Sequence, residues 1–149
     1  PMTLLRLNYA TELRYGVLVD LAQQVHSGAT VDLAMGYVNV IWQRDANAMA
    51  VNSLALTEVP PRILNIAGDE ILRVRDVCAE FGRLMNKPVN FTGSEASNAL
   101  LNNARHNYDL LGKPTKSAAD LISWTARWVM EGRESLDKPT HFASRDGSF

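Results

Sequence analysis

The sequence predicts a mixed α/β (α+β) lobe with a small sheet and about four to five helices, and three observations predict it. Short apolar, β-rich runs closed by glycine or proline alternate with longer stretches whose apolar residues recur at helical spacing. The run Ile63-Leu64-Asn65-Ile66-Ala67-Gly68 is followed by a stripe of Val74, Val77, Cys78, Phe81, Leu84 and Met85, then by Pro88-Val89-Asn90-Phe91-Thr92, which reads as strand, helix, strand with a parallel edge. The 149 residues, 46% hydrophobic and 21% charged, suffice to bury one core.

Taken in order, residues 3–7 read as a short strand, and residues 12–26 as a helix carrying Val17, Leu18, Leu21, Ala22 and Val25 on one side until Gly28 stops it. Residues 31–35 and 38–42 are two β-rich runs divided by Gly36-Tyr37, either a hairpin or a kinked strand. From Asp45 an Ala-rich helix presents Ala46, Met49, Ala50 and Leu54, and Pro60-Pro61 bars its continuation. Residues 99–104 read as a weak helix and 107–112 as a helix end capped by Gly112. Ser117 heads a last helix in which Leu121, Trp124, Trp128 and Val129 share a face up to Gly132. The expected organisation is one lobe over residues 1–132 and a polar tail or arm over 133–149.

With 15 Lys+Arg against 16 Asp+Glu, the net charge of -1 offers no basic field to nucleic acid or acidic membranes. The single cysteine, Cys78, excludes an internal disulfide and reads as a small core residue rather than a nucleophile. No apolar run approaches the roughly 20 residues that span a bilayer, and no signal-peptide pattern is present, so a cytoplasmic location is expected. The start at Pro1, directly before an apolar run, reads as a cut from something longer.

Several chemistries lack their residues. Dinucleotide and Walker-type loops need closely spaced glycines, because only glycine lets the backbone approach a pyrophosphate, and the closest pair, Gly28 and Gly36, is eight residues apart. The positions four after Tyr9, Tyr15, Tyr37 and Tyr108 are Leu13, Val19, Ile41 and Gly112, so no Tyr-x-x-x-Lys pair exists for proton transfer. His26, His106 and His141 are scattered with no second cysteine, which argues against a metal site, and no Gly-x-Ser-x-Gly elbow is present. No residue is assigned a catalytic role.

Three stretches in order resemble the C-terminal, substrate-side part of the NAD-dependent epimerase/dehydratase family, the extended short-chain dehydrogenase/reductases. Leu4-Leu5-Arg6-Leu7-Asn8-Tyr9-Ala10 is similar to the last long Rossmann strand and the asparagine-bearing loop after it. Gly28-Ala29-Thr30-Val31-Asp32-Leu33, with the segment from Val38 through Trp42, Gln43, Arg44 and Asp45 to Ala46, is similar to the next strand and an aspartate that opens a helix. The run ending at Gly68, the helix through Cys78, and Leu111-Gly112-Lys113-Pro114 resemble the family's ending. The match spans about residues 3–132. Two departures bear on substrate class: Arg6-Leu7-Asn8-Tyr9-Ala10 replaces the usual Arg-Pro-x-Asn-x-Tyr-Gly-Pro version, and Gln43-Arg44 precede Asp45 where valine is usual.

The resemblance implies a lobe that lacks the N-terminal Rossmann portion, with the glycine loop and the Tyr/Lys pair on the missing part. It further implies NAD or NADP in the full-length parent, none held by this chain alone, and a sugar or nucleotide-sugar substrate. Leu7 and Asn8 would approach the cofactor only in the context of that portion, and Asn8, Tyr9, Gln43 and Arg44 would face substrate. Each has a plainer reading beside it: Asn8 as a turn residue, Arg14 and Arg44 as solvated arginines, Asp45 as a helix N-cap, and Trp124 with Trp128 as packing rather than sugar stacking. The expected function is thus the substrate side of an NAD(P)-dependent sugar epimerase/dehydratase, not competent alone, against a free-standing binding or regulatory module of the same descent. An unrelated catalytic domain with a spatially assembled site is the third possibility. An uncovered first strand further predicts a homo-oligomer, with exchange of elements as one form of it.

Overall fold

The structure, a computed structural model, describes residues 1–144. Among them five α-helices and eight short strands alternate: β1 Thr3–Leu7, β2 Ala10–Thr11, α1 Val17–Ser27, β3 Thr30–Asp32, β4 Tyr37–Val38, β5 Ile41–Trp42, α2 Gln43–Asn52, β6 Arg62–Ile66, β7 Leu72–Arg73, α3 Val74–Met85, β8 Asn90–Thr92, α4 Tyr108–Leu111 and α5 Ala118–Met130. The mixed α/β class is as the sequence predicts. The single small sheet is corrected to four two-stranded ladders: β1 with β6, β2 with β5 and β3 with β8, all parallel, and β4 antiparallel to β7.

That pairing settles two local questions. The runs flanking Gly36-Tyr37 form neither a hairpin nor one kinked strand, because β3, β4 and β5 each find a different and distant partner. Likewise β6 and β8, expected as one strand-helix-strand unit around α3, pair with β1 and β3 instead. Short two- and three-residue strands carry too little period-2 pattern to name their partners.

Helix ends follow their capping residues. Gly28 closes α1 in a left-handed conformation, with Ala29 N–H bonded to Gln24 O at 2.9 Å and its own N–H to Val25 O at 3.2 Å. Asn86 does the same for α3 at φ 52°. Ser117 and Asp120 form a reciprocal capping box on α5, as Ser117 at the head of that helix predicts. The weak helix expected over 99–104 is absent, and that segment runs as irregular chain before a short 3₁₀ turn at Arg105–Asn107.

The helical periodicity holds where it was strongest. Val17, Leu18, Leu21, Ala22 and Val25 of α1 meet Val74, Val77, Cys78 and Phe81 of α3 and Leu121, Ile122 and Ala126 of α5 in one apolar cluster. On α5 the stripe is rotated from its expected place: Leu121, Ile122, Thr125 and Ala126 are buried, whereas Trp124 is 37% exposed. A second cluster joins Ile41, Met49, Leu64, Ile66, Tyr108 and Leu111 beneath α2 and α4.

Residues 133–144 have no helix or strand and are mostly exposed, but they are tied to the body at points. Phe142 is buried in the α1/α3/α5 cluster, and the Trp128 indole N–H donates to Glu134 O at 2.8 Å. Residues 145–149, the remainder of the expected tail, lie outside the described residues.

Candidate functional site

Parallel strands present their carboxyl ends together, and open α/β folds bind ligands outside those ends. The carboxyl ends of β1, β6 and β2 border a cleft of about 730 Å³. Its floor is apolar, formed by Leu5, Leu7 and Ile66 of the ladder with Ala46 and Ala50 of α2. Amides and hydroxyls ring it: Asn8, Tyr9, Tyr15, Gln43, Asn47 and Thr140.

The first of these, Asn8, follows β1 and is fixed from both sides. Its N–H donates to Ile66 O at 3.0 Å, and its Nδ2 donates to Asn39 Oδ1 at 2.6 Å. Asn39 is itself buried and donates from Nδ2 to Gly68 O at 3.1 Å and Asn102 O at 2.7 Å. Asn102 returns a bond from Nδ2 to Arg6 O at 2.8 Å. An amide chain therefore ties the end of β1 to the irregular 94–104 segment, and Asn8 stands in it as a structural link as well as on the cleft.

Next along the wall, Tyr9 is half-buried, and burial raises its phenol above the usual value. Residues 12–15 make a tight turn in which Glu12 N–H bonds Tyr15 O at 2.9 Å. Among the described residues Glu12 and Arg14 are the charged ones lining the cleft, and they face each other, Arg14 Nε at 3.0 Å and 3.2 Å from the two Glu12 oxygens. The turn leads into α1 through Gly16 at φ 130°, where a Cβ would fall 2.3 Å from Thr11 Oγ1, so no other residue fits.

Of the residues singled out in the sequence, Leu7, Asn8, Tyr9 and Gln43 come together on this cleft, with Arg14 at its edge. Arg44 does not line it and stands exposed one position along α2. Asp45 is not an N-cap: α2 begins two residues earlier, with Trp42 as its cap residue, and the Asp45 carboxylate reaches away to Thr115. Sequence reasoning missed Asn47, although it lies one helical turn after Gln43 and so on the same face. It also missed Glu12, Leu136 and Thr140, the last two because only folding brings residues 133–144 to this side.

Two further chemistries can be tested on the geometry. Cys78 is fully buried and its thiol is pushed up to about 12 by burial, which suits a core residue and not a nucleophile. No group of three or more metal-ligating side chains gathers among the described residues. No helix among them is long and apolar enough to cross a membrane.

A dinucleotide needs glycine backbone open toward a helix N-terminus. Here Gly16, Gly36 and Gly68 have their missing Cβ positions occupied by Thr11, Glu95 and the Val40 carbonyl. Gly28 and Gly112 are open, but each closes the C-terminal end of a helix, where the dipole repels a phosphate. Among the described residues no glycine combines an open Cβ position with a helix N-terminus.

No protein-family model and no curated protein matches the sequence. Solved structures do match it. The chain resembles the UDP-glucuronic acid 4-epimerase from Bacillus cereus in complex with NAD, with a TM-score of 0.65 at 15% identity over 90% of this chain and 46% of that one. It resembles UDP-glucose 4-epimerase with UDP-glucose from Thermotoga maritima at TM-score 0.66 and 12% identity, covering 87% and 46%. It resembles dTDP-glucose 4,6-dehydratase from Bacillus anthracis in complex with NAD at TM-score 0.67 and 13% identity, covering 88% and 45%. The chain spans less than half the length of each. Its fold is that of a portion of these two epimerases and this dehydratase.

Proposed function

We propose that this chain is the substrate-side part of an NAD(P)-dependent nucleotide-sugar epimerase or dehydratase, and that residues 1–132 hold the substrate while the dinucleotide is bound elsewhere in the parent protein. The observation that carries this reading is the cleft at the carboxyl ends of β1, β6 and β2, where Asn8, Tyr9 and Gln43 converge over an apolar floor. A sugar offers hydroxyls to amides that both donate and accept, and its ring faces suit Leu7 and Ile66. Among the described residues Arg14 is the cation on the cleft available to a phosphate, once it exchanges Glu12 for the incoming anion.

Chemistry is assigned to the parent and not to this chain, because no Tyr-x-x-x-Lys pair and no fitting glycine loop are present. Leu7 and Asn8 take their cofactor-facing role only against the missing part. The test is titration of the purified chain with UDP-glucose and, separately, with NADH, read by amide NMR. The expected result is shifts at Asn8, Tyr9 and Gln43 with the sugar nucleotide, and no epimerisation. Stoichiometric NADH uptake with turnover by this chain alone overturns the reading.

The same fold carries the proposal for partners. Among the described residues β1 pairs with β6 alone, and Leu4, Leu7 and Ile63 are 45%, 57% and 49% exposed. An open edge of this kind recruits another strand. In the parent it is supplied by the nucleotide-binding part, and in this chain by a second copy, so light scattering should give a mass above one chain. The self-contained cluster around Leu18 and Phe81 favours a second reading, a cytoplasmic binding module without chemistry, which a reading frame beginning near Met2 would support.

A further inference from the structure

Among the described residues, Leu136 and Thr140 are the ones of the cleft wall that come from outside residues 5–66. They belong to a stretch anchored at both ends in the body of the protein, by Trp128 Nε1 on Glu134 O at 2.8 Å and by the buried Phe142. Between these anchors, residues 135–140 touch α1 and its lead-in through three polar links. Gln23 Nε2 donates to Ser135 Oγ at 3.2 Å, and Leu136 N–H donates to Arg14 O at 3.0 Å. Thr140 donates twice to one Asp20 oxygen, from N–H at 2.8 Å and from Oγ1 at 2.6 Å.

Little else holds this stretch down. A second hollow of about 460 Å³ lies between Asp137, Lys138 and Pro139 on one side and Val19, Gln23 and Gln24 on the other. The backbone turns left-handed at Asp137 and His141, φ 51° and 52°, on either side of the linked Thr140. Non-glycine residues hold that conformation at a cost unless contacts maintain it. The two bonds to an ionised carboxylate are the strongest of the three links, since charge-assisted bonds exceed neutral ones about twofold.

We propose that residues 135–140 form a flap on the cleft, latched by Thr140 on Asp20, and that releasing this latch admits and discharges the ligand. The proposal rests on the reading of the cleft as a ligand site. It adds Thr140 and Leu136 as residues that set the size of what enters, and Asp20 as a positioning residue acting through Thr140.

A labelling experiment tests the latch without any ligand, so its failure is separate from a failure to bind sugar nucleotide. Val17 lines the cleft, is 1% exposed and lies one helical turn before Asp20. In Val17→Cys the new thiol reports access beneath the flap, while the native Cys78 in the core reports global opening. Adding Thr140→Val or Asp20→Ala should raise the maleimide reaction rate at position 17 by about tenfold or more, as loss of a hydrogen bond to a charged group implies. The rate at Cys78 should stay unchanged. An unchanged rate at position 17, or equal acceleration at both thiols, overturns the proposal. Hydrogen exchange on the Asp20→Ala chain gives a second measurement: faster exchange at Leu136 and Thr140 with α3 protected supports the flap, and no change there refutes it.

Discussion

Asp45 and Thr115, 70 positions apart, are joined by both carboxylate oxygens: Thr115 N–H donates to Oδ2 at 2.8 Å and Thr115 Oγ1 donates to Oδ1 at 2.8 Å. The aspartate is 6% exposed, so each bond replaces water the carboxylate has lost. It thereby fastens α2, which forms one side of the cleft, to the segment leading into α5. Asp45→Ala should cost about 1–3 kcal/mol of stability, the range for losing hydrogen bonds to a charged group, since Thr115 is exposed and its donors turn to water. Urea unfolding measures it, and a loss under half a kcal/mol would show the pair to be ornamental.

Asn39 is the second fixed point. Replacing it with alanine removes the acceptor of Asn8 Nδ2 and Asn102 N–H and the donor to Gly68 O and Asn102 O. The expected loss is about 2–4 kcal/mol, with faster hydrogen exchange at residues 101–104 while α1 and α3 remain protected. Uniform loss of protection across the chain would instead mark Asn39 as part of the global core.

These two residues show where sequence reading stopped. The long stripes of α1 and α3 were legible because burial on one helical face repeats every three to four residues and survives any choice of neighbour. Asn8, Tyr9 and Gln43, singled out through resemblance in motif order, line one cleft. Asp45 was misjudged as a cap because its partner, Thr115, is set by tertiary packing and leaves no local signal. The same holds for residues 133–144, whose polar, aperiodic sequence hides one buried anchor, Phe142. Strand partners were illegible for a related reason: two-residue strands fix neither register nor neighbour by pattern.

Acid should loosen the segment around Glu95. Glu95 binds Arg75 Nε at 3.0 Å and Arg73 at 2.9 Å, and chiefly the Arg75 bond holds its carboxyl down to about 2. An unfolded glutamate titrates near 4.3, roughly. The folded value lies below it, so the contribution of this cluster is whole above the unfolded value and is lost as pH falls toward 2. NMR titration of the Glu95 carboxyl should place its midpoint well below that of the other glutamates. In Glu95→Gln the loosening of residues 94–103 should already be present at pH 7, and a wild-type midpoint near 4 would refute the account.

Cys78 gives a prediction of opposite sign. Its thiol is raised to about 12 by burial, so the folded state favours the neutral form. The associated stability is complete below the unfolded thiol's value, about 8.5, and declines as pH rises from there toward the folded value. Iodoacetamide at pH 8 should therefore leave native Cys78 unmodified and label it only as the chain unfolds. Rapid native alkylation would contradict the packing of α3 against α1.

Gly68 tests the joint between the two apolar clusters. A Cβ there would stand 2.0 Å from Val40 O and 3.0 Å from Val40 C, and both are backbone atoms that no rotamer change can clear. The chain just after β6 must then move off the link between β4 and β5, and the Asn39 bond to Gly68 O stretches with it. Gly68→Ala should cost about 3 kcal/mol or more, toward the upper end of overpacking penalties. Gly28→Ala is the control, since nothing lies within 4 Å of its Cβ position and only the φ of 77° opposes it, for about 1 kcal/mol. If thermal unfolding ranks the two the other way, backbone contact at Gly68 is looser than the geometry states, and the amide chain from Asn8 to Asn102 loses its support.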